Sequence, residues 1–555
     1  LDNLGLRGQL LWKATDNLDI TLAADYNRQN PECCGQVFVR VAPTQRSASR
    51  QYAALAAHFG YSPASTNPWD RLVDHDTELR AKQEFGGVSL KAEWDLGSAA
   101  LTSVTAWRYW NWDPSNDRDY TSLPITTVSA NPSRQRQWTQ ELRLASQGKR
   151  TIDYTLGLFL FSQSIRSTGL QQQGSAASYW LLGPTNGANP ALLDGLQQTT
   201  DIDYKNQSAA LYGRLGWNIS DNFKIEPGLR LNYDKKKADY EAIASGGLVT
   251  SDPALIALKN GVLQSQSYHV DFDDWNVSGD VTVSWKPAQD ILLYATYAKS
   301  FKSGGVNLSG IPNHADGTPA TELATVKPEK VDHYEFGLKS QFFDRKATLN
   351  LAIYRTDIKD YQATVVNGAT GTLRGYLANA DRVRSQGVEA DLFVTPVQGL
   401  KLNASIAYTD ATYRSFADAP PPLELAGGSV QVVDISGQRL PGVSKWSASY
   451  GGEYALPAKF VGAEGELFFG ADGNVRSRWS SNPTPSAYMW VGGYAITNFR
   501  LGFRADDKWE VSGWVRNAFD THYFDFLTAQ SGSTGLIVGQ PGDPRTYGVT
   551  LKAQF

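Results

Sequence analysis

The stretch Trp275-Asn-Val-Ser-Gly-Asp-Val-Thr-Val-Ser-Trp285 decides the fold. Trp275, Val277, Gly279, Val281, Val283 and Trp285 fall on one side of an extended chain, and Asn276, Ser278, Asp280, Thr282 and Ser284 on the other, because successive strand side chains point to opposite faces. One side suits hydrocarbon and the other water. A tryptophan at each end of the apolar side matches the two interfacial girdles of a transmembrane barrel. The segment at the end of the chain repeats the split, with Tyr547, Val549, Leu551, Ala553 and Phe555 against Gly548, Thr550, Lys552 and Gln554. Alternation also marks Leu402 to Tyr408 and Ala347 to Ile353, and a count along the chain gives about 19 such strands. The fold class is therefore all-β, a transmembrane antiparallel β-barrel. A short apolar-periodic piece, Tyr52 to Phe59, reads as a helical turn or two within a loop.

Composition agrees. Mean hydropathy is −0.37 with 12% aromatics and 50 glycines, the profile of many strands joined by turns, half of whose residues face water. No apolar run approaches the roughly 18 residues of a membrane helix. A net charge of −4 without a long charged block gives nucleic acid nothing to bind.

Connection lengths alternate. Short turns fall at Lys13 to Asn17, Gly97 to Ser98, Gln147 to Arg150, Ser220 to Asn222, Pro287 to Asp290, Asp344 to Lys346, Pro396 to Gly399 and Asp506 to Lys508. Long loops span Asn30 to Gln83, Gln173 to Asp203, Glu241 to His269, Ser303 to Lys330, Phe416 to Val443 and Phe526 to Pro544. Outer-membrane barrels keep short turns periplasmic and long loops outside, which places the strand ending at Phe555 with its end in the periplasm. Counting back, Leu4 to Trp12 runs the same way, so an even-stranded barrel requires an odd number of strands before Leu1. Pro227 interrupts a strand and calls for a bulge or turn.

Gln137-Trp-Thr-Gln-Glu-Leu-Arg-Leu-Ala-Ser146, Leu101-Thr-Ser-Val-Thr-Ala-Trp107, Leu229-Arg-Leu-Asn-Tyr-Asp-Lys-Lys236 and Leu293-Tyr-Ala-Thr-Tyr-Ala-Lys-Ser-Phe-Lys-Ser-Gly-Gly305 resemble segments of the TonB-dependent receptors. So do Lys327 to Lys339, Arg384 to Glu389, Asn517-Ala-Phe-Asp520 with Tyr523, and Pro544 to Phe555. The resemblance covers nearly the whole chain. It implies a 22-stranded barrel filled by a plug, of which residues 1–555 are the N-terminally incomplete barrel domain, lacking three strands, the plug and the TonB-binding box.

It further implies an outer membrane of a Gram-negative bacterium, active import of a ferric siderophore or similar scarce nutrient, and no catalysis or cofactor. The partners it implies are TonB with its ExbB/ExbD complex, lipopolysaccharide, the assembly machinery, and a small-molecule or metal-chelate substrate. The same machinery carrying a glycan, cobalamin or an aromatic compound is the alternative within the family, and a passive porin-like or structural barrel the alternative outside it. Phe555 resembles the terminal aromatic of an assembly signal.

A ligand cup needs aromatic and polar groups around a concavity. The candidates, near strand tops or in long loops, are Trp110, Trp112, Tyr120, Tyr179, Trp180, Tyr488 and Trp490, set against the simpler role of girdle or loop packing. Cys33 and Cys34 are adjacent, which suits a vicinal disulfide or two idle thiols and lacks the spacing of a zinc site. The six histidines, His58, His75, His269, His314, His333 and His522, show no ligand spacing, so no metal site is expected. Asp74-His75-Asp76 is triad-like in composition only, since neighbours on one strand or loop rarely converge on one atom. Lys235, Lys236 and Lys237 at the outer end of a strand suit an anionic chelate, lipopolysaccharide phosphates or solvent.

Overall fold

The alternation becomes a single curved wall in the computed structural model, which describes all residues except 1, 368–373, 506, 507, 531, 533, 554 and 555. Its main sheet has twenty strands, one of which, Thr126–Ala130, is a short spur at the outer rim, leaving nineteen in the wall. Each wall strand pairs antiparallel with the next in sequence, from Asp2–Thr15 and Leu18–Asn30 round to Trp509–Arg516 and Thr546–Ala553. Among the described residues, the first and last of these strands have one partner each.

The two girdles are in place. Trp12, Trp94, Trp217 and Trp285 stand exposed beside the short turns, and Trp107, Trp138, Trp275 and Trp446 at the other end of the apolar face. Ten residues separate Trp275 from Trp285. At about 3.3 Å per residue and a tilt of about 40°, they span roughly 25 Å of height, the thickness of the apolar band. The lumenal face of the same strands carries Asn276, Asp280 and Thr282, as the alternation requires.

Several strands overshoot the membrane. Gln197–Ser220 has 24 residues, and Phe223–Ser245 and Gln266–Ala288 have 23 each, about twice the crossing length. The expected loops Gln173 to Asp203 and Glu241 to His269 are correspondingly shorter, running over 174–196 and 246–265. Alternation continues into these extensions because loops pack on their inner side, so sequence alone cannot tell where lipid stops. The turn at Val461 and Gly462, both at positive φ, and the outer loops 116–132 and 477–493 are further connections that the sequence reading does not separate. The expected turn from Asp506 to Lys508 begins outside the described residues.

Pro227 needs neither bulge nor turn. The ladder to Gln197–Ser220 omits its pair and that of Glu226 while the register on both sides stays continuous, so the missing N–H removes bonds without displacing the strand.

The outer loops fold inward over the lumen. They carry helices α1 (Tyr52–His58), α2 (Ala177–Asn186) and α3 (Pro253–Val262), of which only the first is anticipated from periodicity. Loops 31–79 and 517–545, neighbours of opposite ends of the wall, join in a three-stranded sheet of Val37–Val41, Leu536–Pro541 and Phe524–Ala529. The wall thus curls far enough round for its two ends to meet through their loops at the rim.

Candidate functional site

The lumenal wall is ionic, and its bridges share one design. Asp25, Gly87 and Arg108 stand abreast on three successive strands, and the Arg108 guanidinium reaches across the glycine to both oxygens of Asp25 at 2.9 and 2.8 Å. Asp280, Gly228 and Arg214 repeat the arrangement with a 2.5 Å contact. Glu453, Gly470 and Arg500 repeat it again at 3.2 Å. The central residue must be glycine for steric reasons: a Cβ at Gly87 would lie 2.8 Å from Arg108 Cγ, and one at Gly228 2.8 Å from Asp280 Oδ1. The wall is thereby lined with fixed charges at a polar surface suited to water or to another polar body.

At the top of this wall the strand Ala99–Ser115 presents Trp110 and Trp112 to the lumen, on the same face as Arg108. Their rings stack with centroids 5.5 Å apart and 13° between planes. Trp110 Nε1 donates to Gln83 Oε1 at 3.2 Å, which fixes the pair. Two clefts share this aromatic wall. One, of about 330 Å³, is lined by Trp110, Arg108, Phe85, Gln135 and Gln137. The other, of about 420 Å³, is lined by Trp112, Arg80, Arg118, Gln171 and the Cys33–Cys34 disulfide, with Cys34 at φ 127°. Aromatic faces, guanidinium groups and amides around one concavity are the donor set for an anionic or aromatic ligand.

The other candidates lie elsewhere. Trp180 is 1% exposed in the core formed by α1, α2 and neighbouring loops, and in this conformation offers no face to a ligand. Tyr179 packs on that core and stacks against His58 at 3.5 Å; Tyr120 packs there too. In the same core burial pushes the Tyr52 phenol up to about 12 and Tyr61 higher still, with Asp74 accepting the Tyr61 hydroxyl at 2.6 Å. These are neutral packing groups. Tyr488 borders a separate buried cluster around Met489 and Trp479. Trp490 has the guanidinium carbons of Arg439 and Arg478 over its ring, 5.7 and 5.2 Å from the centroid. Phe555 lies outside the described residues.

The three lysines separate by alternation. Lys235 and Lys237 point outward, Lys237 pairing with Asp271 at 2.8 Å. Lys236 points inward, 9% exposed, and donates to Ser303 Oγ at 2.9 Å and to the Gly304 carbonyl. Instead of waiting for an anion, it fastens loop 303–328, whose Ile311 and Ala324 bury against Tyr240 and Tyr268 on the inner wall. Asp74, His75 and Asp76 do not converge: Asp74 holds Tyr61, and His75 Nδ1 lies 3.1 Å from the Thr77 carbonyl.

With this geometry the family follows. Residues 40–518 match the family model described as TonB dependent receptor-like, beta-barrel. The chain belongs to the TonB-dependent receptors. It is 25% identical over 551 residues to the pesticin receptor of Yersinia enterocolitica, covering 94% of this chain and 67% of the relative. It is also 25% identical over 353 residues to the catecholate siderophore receptor Fiu of Escherichia coli K12, covering 62% of this chain and 41% of the relative.

Among solved structures it resembles the ferric yersiniabactin uptake receptor FyuA from Yersinia pestis, with a TM-score of 0.70 at 18% identity over 100% of this chain and 70% of that one. It also resembles the ferripyoverdine receptor of Pseudomonas aeruginosa, with a TM-score of 0.61 at 13% identity over 99% of this chain and 64% of that one. The protein is thus an outer-membrane receptor of a Gram-negative bacterium and not an enzyme.

Proposed function

We propose that this TonB-dependent receptor imports a ferric siderophore or a similar metal chelate, taken up at the clefts beside Trp110 and Trp112. The carrying observation is the 420 Å³ cleft lined by Trp112, Arg80, Arg118 and Gln171, in which Arg80 is bridged to Glu78 and Asp113 and Arg118 donates to Gln171. An iron complex meets guanidinium and amide hydrogen-bond donors there, and its aromatic or planar parts meet the indole. Pesticin and catecholate siderophore receptors among the relatives support this reading. The stacked indoles also favour a second cargo of the same machinery, a sugar or aromatic compound lying flat on Trp110.

In the working receptor a plug fills the lumen against the acid–glycine–arginine wall, and further strands close the sheet between Asp2–Thr15 and Thr546–Ala553. Supporting closure, each of those strands has an unpaired edge among the described residues, which lipid does not tolerate. TonB with ExbB/ExbD acts through the plug, and the assembly machinery reads the terminal strand with Phe555. Lipopolysaccharide phosphates meet the outer surface at Lys235 and at a mixed-charge recess where Lys359, Arg382 and Arg414 stand beside Arg355 and Arg384, both bridged to Asp357, and beside Asp332, Asp360 and Asp381.

The test is uptake of radioactive iron by cells lacking and then regaining the intact gene, offered catecholate, mixed-type and phenolate chelates under iron starvation. Gene-dependent, TonB-dependent uptake of one class supports the proposal. Gene-dependent growth on a glycan or aromatic compound without iron uptake transfers the site to the second cargo, and TonB-independent diffusion of small solutes makes the protein a pore.

A further inference from the structure

Two outer loops bring three carboxylates together. Asp76 comes from loop 31–79, and Asp117 and Asp119 from loop 116–132; one oxygen of each lies within 4.8 Å of the other two. Asp117 and Asp119 are 3% and 2% exposed. Asp119 is fully engaged, with Oδ1 accepting from the Thr121 hydroxyl at 2.7 Å and its N–H at 3.2 Å, and Oδ2 from the Thr126 N–H at 2.8 Å. Asp117 is not. Its Oδ1 accepts one long bond from the Asp119 N–H at 3.3 Å, and its Oδ2 is buried without a hydrogen-bond partner.

The nearest cation in sequence gives no relief, since Arg118 turns its guanidinium away to Gln171 Oε1 at 2.8 Å. Burying carboxylates side by side with one oxygen unpaired is strongly unfavourable unless a bound cation or a shared proton neutralises the cluster.

We propose that Asp76, Asp117 and Asp119 bind a calcium ion that ties loop 31–79 to loop 116–132. The donors are oxygen only, which selects a hard cation over zinc or copper. Calcium accepts carboxylate oxygens in flexible geometry, whereas magnesium demands a near-ideal octahedron and keeps several waters, so carboxylates held by two irregular loops suit calcium better. The three loops already converge here: Thr77 Oγ1 donates to the Thr126 carbonyl at 2.8 Å, and Gln530 of loop 517–545 donates to the Asp119 carbonyl. Arg118, between two of the ligands, lines the cleft beside Trp112, so the ion also sets the position of a guanidinium at the candidate ligand site. The site stands on its own geometry, independent of the cargo proposed above.

The experiment is calcium titration of the intact receptor in detergent by calorimetry, together with terbium luminescence, which Tyr61 and Tyr120 are placed to sensitise. One saturable site in the range of extracellular calcium modules, about 10⁻⁴ to 10⁻³ M, is expected. It should be weakened at least tenfold in Asp117→Asn and in the exposed-residue variant Asp76→Asn, and unchanged in Asp434→Asn on another loop. Hydrogen exchange at residues 116–126 should slow with calcium in the native protein and be insensitive to it in Asp117→Asn. Absence of calcium binding, or binding unaltered in both Asp76→Asn and Asp117→Asn, overturns the proposal. Asp76→Asn keeps the test decisive should Asp117→Asn fail to assemble.

Discussion

Arg108 and Asp25 are joined side chain to side chain from strands that do not pair with each other, with Gly87 directly between them. The glycine is the condition for the bridge. Gly228→Val should force the Arg214 guanidinium off Asp280 while leaving the ladder intact, because an added Cβ there meets only side-chain atoms. Both charges are partly open to the lumen, so the loss should be modest, about 0.5–1 kcal/mol. Thermal unfolding should show a shift of a few degrees at most. Gly87→Val should cost more than the Arg108–Asp25 bridge, because an added Cβ there would also lie 2.4 Å from the Trp107 carbonyl oxygen and strain the ladder, and a double variant should be additive, since the sites do not touch.

Trp110 and Trp112 face inward because they are two residues apart on one strand, whereas Trp107 on the same strand faces lipid. Replacing both inward indoles by alanine should weaken cargo binding about tenfold, the loss of roughly 1.5 kcal/mol of aromatic contact. Trp107→Ala should leave affinity unchanged and disturb only the girdle. Binding of labelled chelate to whole cells, normalised to receptor abundance, separates the two.

Lys236 is buried with its bonds to Ser303 and Gly304, and Gln362 adds bonds to the carbonyls of Ser303 and Lys327 at 3.0 and 3.1 Å. Lys236→Met keeps the length of the side chain and removes the donors, leaving loop acceptors unsatisfied at about 1–3 kcal/mol. Proteolytic nicking within residues 303–328 should accelerate while the wall strands stay protected.

The wall was legible in the sequence because a period of two is written locally, in residues such as Val277, Ser278 and Gly279. Turn lengths gave the direction of each strand for the same reason. The site was only half legible. That Trp110 and Trp112 share a face with Arg108 follows from spacing alone, but Trp180, equally aromatic and equally near a rim, is consumed by a loop core assembled from α1, α2 and loop 517–545, distant in sequence. Lys236 looks like its neighbours until loop 303–328 folds onto it. Asp76 and Asp117 belong to different loops, and no local pattern announces that they meet.

Val281 and Thr282 give the sharpest test of the membrane assignment, because they are adjacent in sequence and close to the midpoint between Trp275 and Trp285. Val281 faces outward, 37% exposed, and Val281→Lys would place an ammonium in hydrocarbon at about 2–4 kcal/mol. Thr282 faces the lumen, where its hydroxyl lies 2.9 Å from that of Thr296, and it pairs across the strand with Glu226. Thr282→Lys therefore gives up one hydroxyl contact and shares Glu226 with Lys224, which already bridges it at 2.9 Å, on a face open to water. Folding into vesicles, followed by the heat-dependent mobility of the barrel, should show Val281→Lys impaired and Thr282→Lys close to native. Equal tolerance of both would mean that this strand does not cross the bilayer in the register its tryptophans define.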